Sequence, residues 1–209
     1  MSKYIDEKRL VIGALAIIAF ATVVLVIIPY LQLKNIAPPD GLKPYTESQA
    51  RGREVYMSNG CVYCHSQQPR SANLAPDEQR GWGRAPTTND YAYDQVHLLG
   101  TMRTGPDLFN IGARQSSEDW HLGHLYQPRA YVPTSNMPAF PFLFIETTKV
   151  KSDDVVVHLP PAYTKDGTTI IASQAALDLV EYLKGMDHTY PIKKSIAESL
   201  KVKQPIEAK

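Results

Sequence analysis

Gly60-Cys61-Val62-Tyr63-Cys64-His65 decides the reading of this chain. Two cysteines stand two residues apart, and a histidine follows the second directly. One helical turn brings Cys61 and Cys64 to the same face. This is the c-type haem attachment pattern: both thiols add to the vinyl groups of one haem, and the histidine turns an imidazole nitrogen to the iron. A zinc site is the first competing use of the pair. It would need His121 and His124, whose H-x-x-H spacing is tighter than the usual one and lies far along the chain. A thioredoxin-type redox pair would want a βαβ context, which is absent around residue 61. The chain has only two cysteines, so with both on the haem no disulfide is expected.

Working outward, the next decisive stretch is the uncharged run Leu10 to Tyr30. At the helical rise its length is about 31 Å, the thickness of a bilayer core. A cleaved signal peptide is the rival reading, with Ala19-Phe20-Ala21 as the processing triplet. The apolar run continues through Thr22 to Tyr30, where a signal peptide would turn polar. An uncleaved transmembrane anchor over residues 10–32 is therefore expected, after a cytoplasmic N-terminus at 1–9. Lys8 and Arg9 favour that orientation, although Lys34 and Lys43 follow the span. In bacteria c-type haem is attached outside, so the haem domain belongs on the periplasmic side of the inner membrane. The net charge of +1 gives no reason to expect nucleic acid.

The remaining ~170 residues suit one domain. Sixteen prolines imply a loop-rich fold, which a covalent haem would order. A proline-rich linker covers 33–45, and the haem domain is read as 46–188. Thr46 and Gln49 have the spacing of a capping box, opening a helix that ends at Asn59-Gly60. Residues 66–100 read as irregular, broken at Pro76, Gly81, Gly83 and Pro86. Ser117 and Glu118 start a second helix to Tyr126, carrying Trp120, Leu122, Leu125 and two hydrogen-bonding or surface histidines, His121 and His124. Val155-Val156-Val157 and Thr168-Thr169-Ile170-Ile171, with Lys165-Asp166-Gly167 between, predict a small β-hairpin insertion over about 146–172. Ser173 caps a last helix to Gly185, with an Ala176, Leu179, Val180, Leu183 stripe. A basic tail fills 189–209.

Three further positions are candidates for the haem site. Pro106, in the Gly105-Pro106 turn, has a carbonyl free to accept the Nδ1–H of His65 and so set its tautomer. Met137 lies in the proline-stiffened loop Pro133 to Pro141, and a thioether opposite the histidine raises the potential of an electron carrier. Met102 is its rival, because it also lies in a loop near the Gly-Pro turn. Arg103 is the first choice to meet a haem propionate, with Arg129 second.

Helix, CxxCH, G-P-x-L, ligand methionine and C-terminal helix occur in the order of a class I cytochrome c, over roughly 46–186. A closer resemblance rests on Arg103-Thr104-Gly105-Pro106-Asp107-Leu108, Trp120-His121, His124-Leu125, Pro128-Arg129 and Ser135-Asn136-Met137-Pro138-Ala139. Together these strings resemble the mono-haem subunit (subunit II) of cbb(3)-type cytochrome c oxidases. The insertion at 146–172 falls outside that resemblance. The resemblance implies a mainly α, class I cytochrome c-like domain behind one transmembrane helix. It implies one covalent haem c on Cys61 and Cys64, with His65 and Met137 as axial ligands.

The resemblance also implies a role: passing single electrons to the catalytic membrane subunit of an oxidase, from a second c-type cytochrome subunit or a soluble cytochrome. The chemistry of oxygen reduction would lie in that partner, not in this chain. Three alternatives compete. The first is the cytochrome subunit of a nitric oxide reductase, against which Trp120 to Ala139 argue. The second is a free tethered shuttle. The third is a haem enzyme or gas sensor with an open distal site, which would require that Met137 not ligate.

Overall fold

The computed structural model describes residues 6–34, 37–70, 74, 77–164 and 167–192. Parts of five expected segments lie outside the described residues: 1–5 of the N-terminus, 35–36 of the linker, 71–73 and 75–76 of the long loop, Lys165-Asp166 of the turn, and 193–209 of the basic tail. The chain forms two compact units, Met1–Ala37 and Pro38–Lys209.

The first unit is one apolar helix, α1 (Glu7–Leu33), long enough to cross a membrane. Its start is capped by Asp6, whose carboxylate accepts from the Lys8 amide at 3.1 Å. Its side chains face outward; Ile17 and Phe20 are each 70% exposed. Near its end it widens into a π-helical turn, Val23–Ile27, where the Ile28 amide reaches back to Val23 O. Pro29 is the local cause. It has no N–H, and its ring crowds the carbonyl four residues back, so a wider turn relieves the clash.

The second unit is helical around a small sheet. Helix α2 (Glu47–Ser58) opens on the capping box: Thr46 Oγ1 accepts from the Gln49 amide at 3.2 Å, and Gln49 Oε1 from the Thr46 amide at 3.0 Å. Gly60 follows its end with φ +72°, a left-handed conformation open to a residue without Cβ. The single turn α3 (Cys61–Cys64) comes next, then α4 (Ile111–Arg114). Helix α5 (Glu118–Tyr126) is capped by Ser117, which accepts from the Trp120 amide at 3.2 Å.

The core forms where α2 crosses the C-terminal helix. A Cβ on Gly52 would stand 1.9 Å from Asp178 O, so only glycine lets these backbones touch. Tyr56 meets Tyr182 edge-on at 5.5 Å between ring centroids. Ala176, Leu179, Val180 and Leu183 are all buried, with Leu122 and Leu125 against them. Each large apolar side chain buried this way contributes ~1.5–3 kcal/mol.

The sheet contains the expected pairing and adds a strand to it. Strand β1 (Phe144–Thr147) pairs antiparallel with β2 (Thr169–Ala172), Phe144 opposite Ala172 and Thr147 opposite Thr169. Val155-Val156-Val157 pairs with the other side of β2 through an antiparallel bridge, Val156 to Ile171, with the Val157 amide on Ile170 O and the Ala172 amide on Val155 O, each at 2.9 Å. The reason lies in packing. Phe144 is buried and stacks edge-on against Tyr126 at 5.4 Å, which fixes β1 to α5 and offers β2 an anchored partner. Helix α6 (Gln174–Gly185) leaves β2 through Ser173, whose Oγ accepts from the Ala176 amide at 3.3 Å.

The long segment before α4 is irregular, as its breakers predict, and it is pinned to the domain by two buried aspartates. Asp94 meets Arg53 at 3.1 Å and the Tyr45 hydroxyl at 2.8 Å. Asp90 meets Arg84 at 2.6 Å and the Tyr190 hydroxyl at 2.7 Å. Burying a carboxylate is costly unless it is paired and hydrogen-bonded, and both are.

Candidate functional site

The α2 helix and the left-handed Gly60 deliver α3 with both thiols on one turn. Cys64 is exposed and Cys61 half-buried, and they are not joined in a disulfide. Burial pushes the Cys61 thiol up to about 11. His65 ends the turn. Its backbone carbonyl accepts from the Tyr56 hydroxyl in the α2–α6 core. The residues just beyond it are buried: Ser66 Oγ donates to Met102 O at 2.8 Å, and Gln67 Nε2 donates to the Tyr182 hydroxyl at 2.7 Å.

The His65 ring is oriented from the Gly-Pro turn. Its Nδ1 lies 2.7 Å from Pro106 O. A carbonyl only accepts, so Nδ1 carries the proton and Nε2 keeps its lone pair. Burial lowers the pKa of the ring, and the Pro106 bond partly opposes this. Gly105 lies against the same ring: a Cβ there would be 2.1 Å from His65 Cε1 and 2.5 Å from Nε2. The Gly105 amide donates to Cys64 O at 3.1 Å, closing the turn over the motif.

Arg103 sits half-buried at the head of this turn. Nε donates to Ser66 O at 2.7 Å and Nη2 to Gln68 O at 2.8 Å, while Nη1 forms an ion pair with Asp107 Oδ2 at 2.6 Å without hydrogen-bond alignment. Asp107 is buried, which raises its carboxyl pKa, while Arg103 and the Phe109 amide pull it down. Arg129 is exposed, and its carbonyl accepts from the Tyr163 hydroxyl at 3.2 Å.

Met137 is half-buried in its proline-flanked loop. Its amide donates to Ser135 Oγ at 3.1 Å, and its side chain packs on the same apolar cluster as Cys61, Val62, Leu108 and Phe140. The other methionines have different surroundings. Met102 is 57% exposed, Met57 Sδ accepts from Arg53 at 3.8 Å, and Met186 is buried with Gln67 Nε2 on its sulfur at 3.7 Å. The structure thus joins His65 to Pro106 directly, and seats Cys61 and Met137 on one apolar cluster. It turns the Arg103 fork onto the protein itself.

The histidine pair on α5 has two separate roles. His121 is buried and donates through Nε2 to Gln115 O at 2.8 Å. His124 stacks on Trp120 at 4.6 Å, and burial, with the neighbouring His121 and His65, lowers its pKa to about 4. Among the described residues no three His, Cys, Asp or Glu side chains gather as a metal cage. A haem suits the donor set: two thiols on one turn, a neutral imidazole with an unprotonated Nε2, and a thioether on the adjoining apolar cluster.

Two contacts went unread in the sequence, Tyr56 to His65 O and Arg103 to Asp107. The second had a visible signal, since an arginine and an aspartate four residues apart straddle the Gly-Pro pair. No match was found among curated proteins. A family model described as "Cytochrome C oxidase, mono-heme subunit/FixO" matches residues 4–189.

Proposed function

Because the chain belongs to the FixO family of mono-haem cytochrome c oxidase subunits, we propose that it is the membrane-anchored electron relay of a cbb(3)-type oxidase. One haem c is held covalently by Cys61 and Cys64, with His65 and Met137 as its axial ligands, in a class I cytochrome c-like domain. Bound there, the haem supplies a one-electron ferric/ferrous couple.

The protein's part is to hold and tune that couple. The observation that carries the reading is the 2.7 Å bond from His65 Nδ1 to Pro106 O, directly after the paired thiols. It fixes the ring's tautomer, presents Nε2 as the donor and strengthens it. Met137, half-buried on the core cluster, supports a site closed on both sides, and a closed site transfers electrons without binding oxygen. The apolar helix α1 supports residence in the bacterial inner membrane, with the haem domain on the periplasmic side. Such an anchor raises the effective concentration of the domain at its catalytic partner. The donor on the outer side is a second c-type cytochrome, either another subunit or a soluble protein.

The test is Met137→Ala, with spectra taken on the full-length haem-bearing subunit and oxygen consumption measured on the purified complex. We expect the near-infrared band of thioether–iron ligation to vanish, carbon monoxide to bind the reduced protein, and oxygen consumption to slow. Retention of that band with full turnover would overturn the assignment and move it to Met102.

A further inference from the structure

We infer that Arg103 and Asp107 form a positioning clamp that holds Pro106 O on His65 and thereby sets the potential of the iron. The inference rests on the reading that His65 is an axial ligand, and it gives Arg103 a different role from meeting a propionate.

The Gly105-Pro106 turn has little else to hold it. Thr104 and Pro106 are exposed, and the turn belongs to no helix or strand. Gly105 presents bare backbone to the imidazole, and glycine is the residue with most conformational freedom to lose. The Gly105 amide on Cys64 O is one tie. The Arg103–Asp107 pair, joined at 2.6 Å across the turn, is the other. Its side chains are only 12% and 4% exposed, so solvent screens it far less than a surface pair.

The pair also reaches back to the histidine. Arg103 Nε and Nη2 bind Ser66 O and Gln68 O, the carbonyls that follow His65 in the chain. Asp107 is fixed in turn by the Phe109 amide on Oδ1 at 3.0 Å, and by Arg114 Nη2 on its backbone carbonyl at 3.2 Å. The contacts form a closed circuit: His65 Nδ1, Pro106 O, Asp107, Arg103, Ser66 O, and back to His65. A planar guanidinium can aim Nε and Nη2 at two carbonyls in fixed directions while pairing its charge with Asp107, whereas a lysine ammonium on a flexible stem cannot. A firm Nδ1–H bond makes the imidazole a stronger donor and favours ferric iron. Loosening it should raise the potential.

Arg103→Lys tests the clamp, because it keeps the charge and removes the fork. The full-length haem-bearing protein in detergent is the material. We expect the midpoint potential to rise. Exchange of the His65 Nδ1 proton in the reduced form, followed by nitrogen-edited NMR, should quicken about tenfold, as for a loosened hydrogen bond. Asp107→Asn is the second variant, should the first fold poorly, and it should quicken the same exchange. Unchanged exchange in both variants would overturn the clamp, leaving Arg103 a charge near the iron or a propionate partner. The ligand reading is tested apart from this by His65→Ala: a haem that stays low-spin there would sink that reading and the clamp with it.

Discussion

Gly105 sets where the His65 ring can sit. Its φ is not left-handed, so the requirement for glycine comes from contact alone. A methyl group 2.1 Å from His65 Cε1 must push the ring away or open the turn. Gly105→Ala should therefore yield a protein that still carries covalent haem but is partly high-spin when reduced, and that binds carbon monoxide. Visible absorption of the reduced protein with and without carbon monoxide measures this. An unchanged low-spin spectrum would mean that the turn yields without moving the ring. At this scale the sequence was informative about identity and silent about direction. Cys61, Cys64 and His65 are legible as a motif, and Pro106 as a free carbonyl. The Arg103 fork is legible only as a charge, because its targets at Ser66 and Gln68 are brought near by the chain's return.

Among the elements, the pair α2 and α6 holds the site in place, since Tyr56 reaches His65 O from within it. Asp178 on α6 ties the pair by accepting from Ser48 at 2.6 Å and from Arg51 at 2.7 and 2.9 Å. These bonds lower its pKa from 3.8 to about 2. A depressed carboxylate stabilises the fold above its unfolded pKa, and the gain is lost as pH falls through the folded value. Stability should therefore drop between about pH 4 and pH 2. Arg51 is 55% exposed, so the contribution is discounted to roughly 1–2 kcal/mol. Denaturant midpoints at pH 7, 4 and 2.5 should reveal this, and Asp178→Asn should remove its share of the drop. Identical acid sensitivity in that variant would refute the assignment. The helices themselves were readable, because Thr46, Ser117 and Ser173 cap them through bonds two or three residues long. The second partner of β2, strand β1, was not. A β-branched run signals a strand without saying which other run it joins, and the buried Phe144 decided it.

For the whole molecule, the division into an apolar helix and a haem-site unit carries a prediction about separability. The second unit contains its own core and every proposed haem contact. Replacing residues 1–37 with a cleaved export signal should release a soluble periplasmic domain with the wild-type spectrum, while the intact chain resists a high-salt membrane wash. A truncated chain that failed to retain haem would show that the anchor is needed to build the site. The long irregular segment is part of that independence. It is held to the rest of the unit by Asp90, which accepts from the Tyr190 hydroxyl, and by Asp94, which pairs with Arg53.

The properties that the sequence determined by itself are those that act over short stretches. Hydropathy over one run marks the long apolar helix, a two-residue gap marks the CxxCH string, and capping hydroxyls define three helix starts. Ordered strings from Arg103 to Ala139 were enough to indicate the family. The tertiary structure decided what depends on distant segments meeting: the addition of β1 to β2, the burial of Asp90 and Asp94, and the turning of Arg103 onto Asp107 and the carbonyls beyond His65. The physical reason is the same in each case. A backbone carbonyl has no identity in the sequence, so Ser66 O and Gln68 O become partners only when folding places them 2.7 and 2.8 Å from a guanidinium more than thirty residues away.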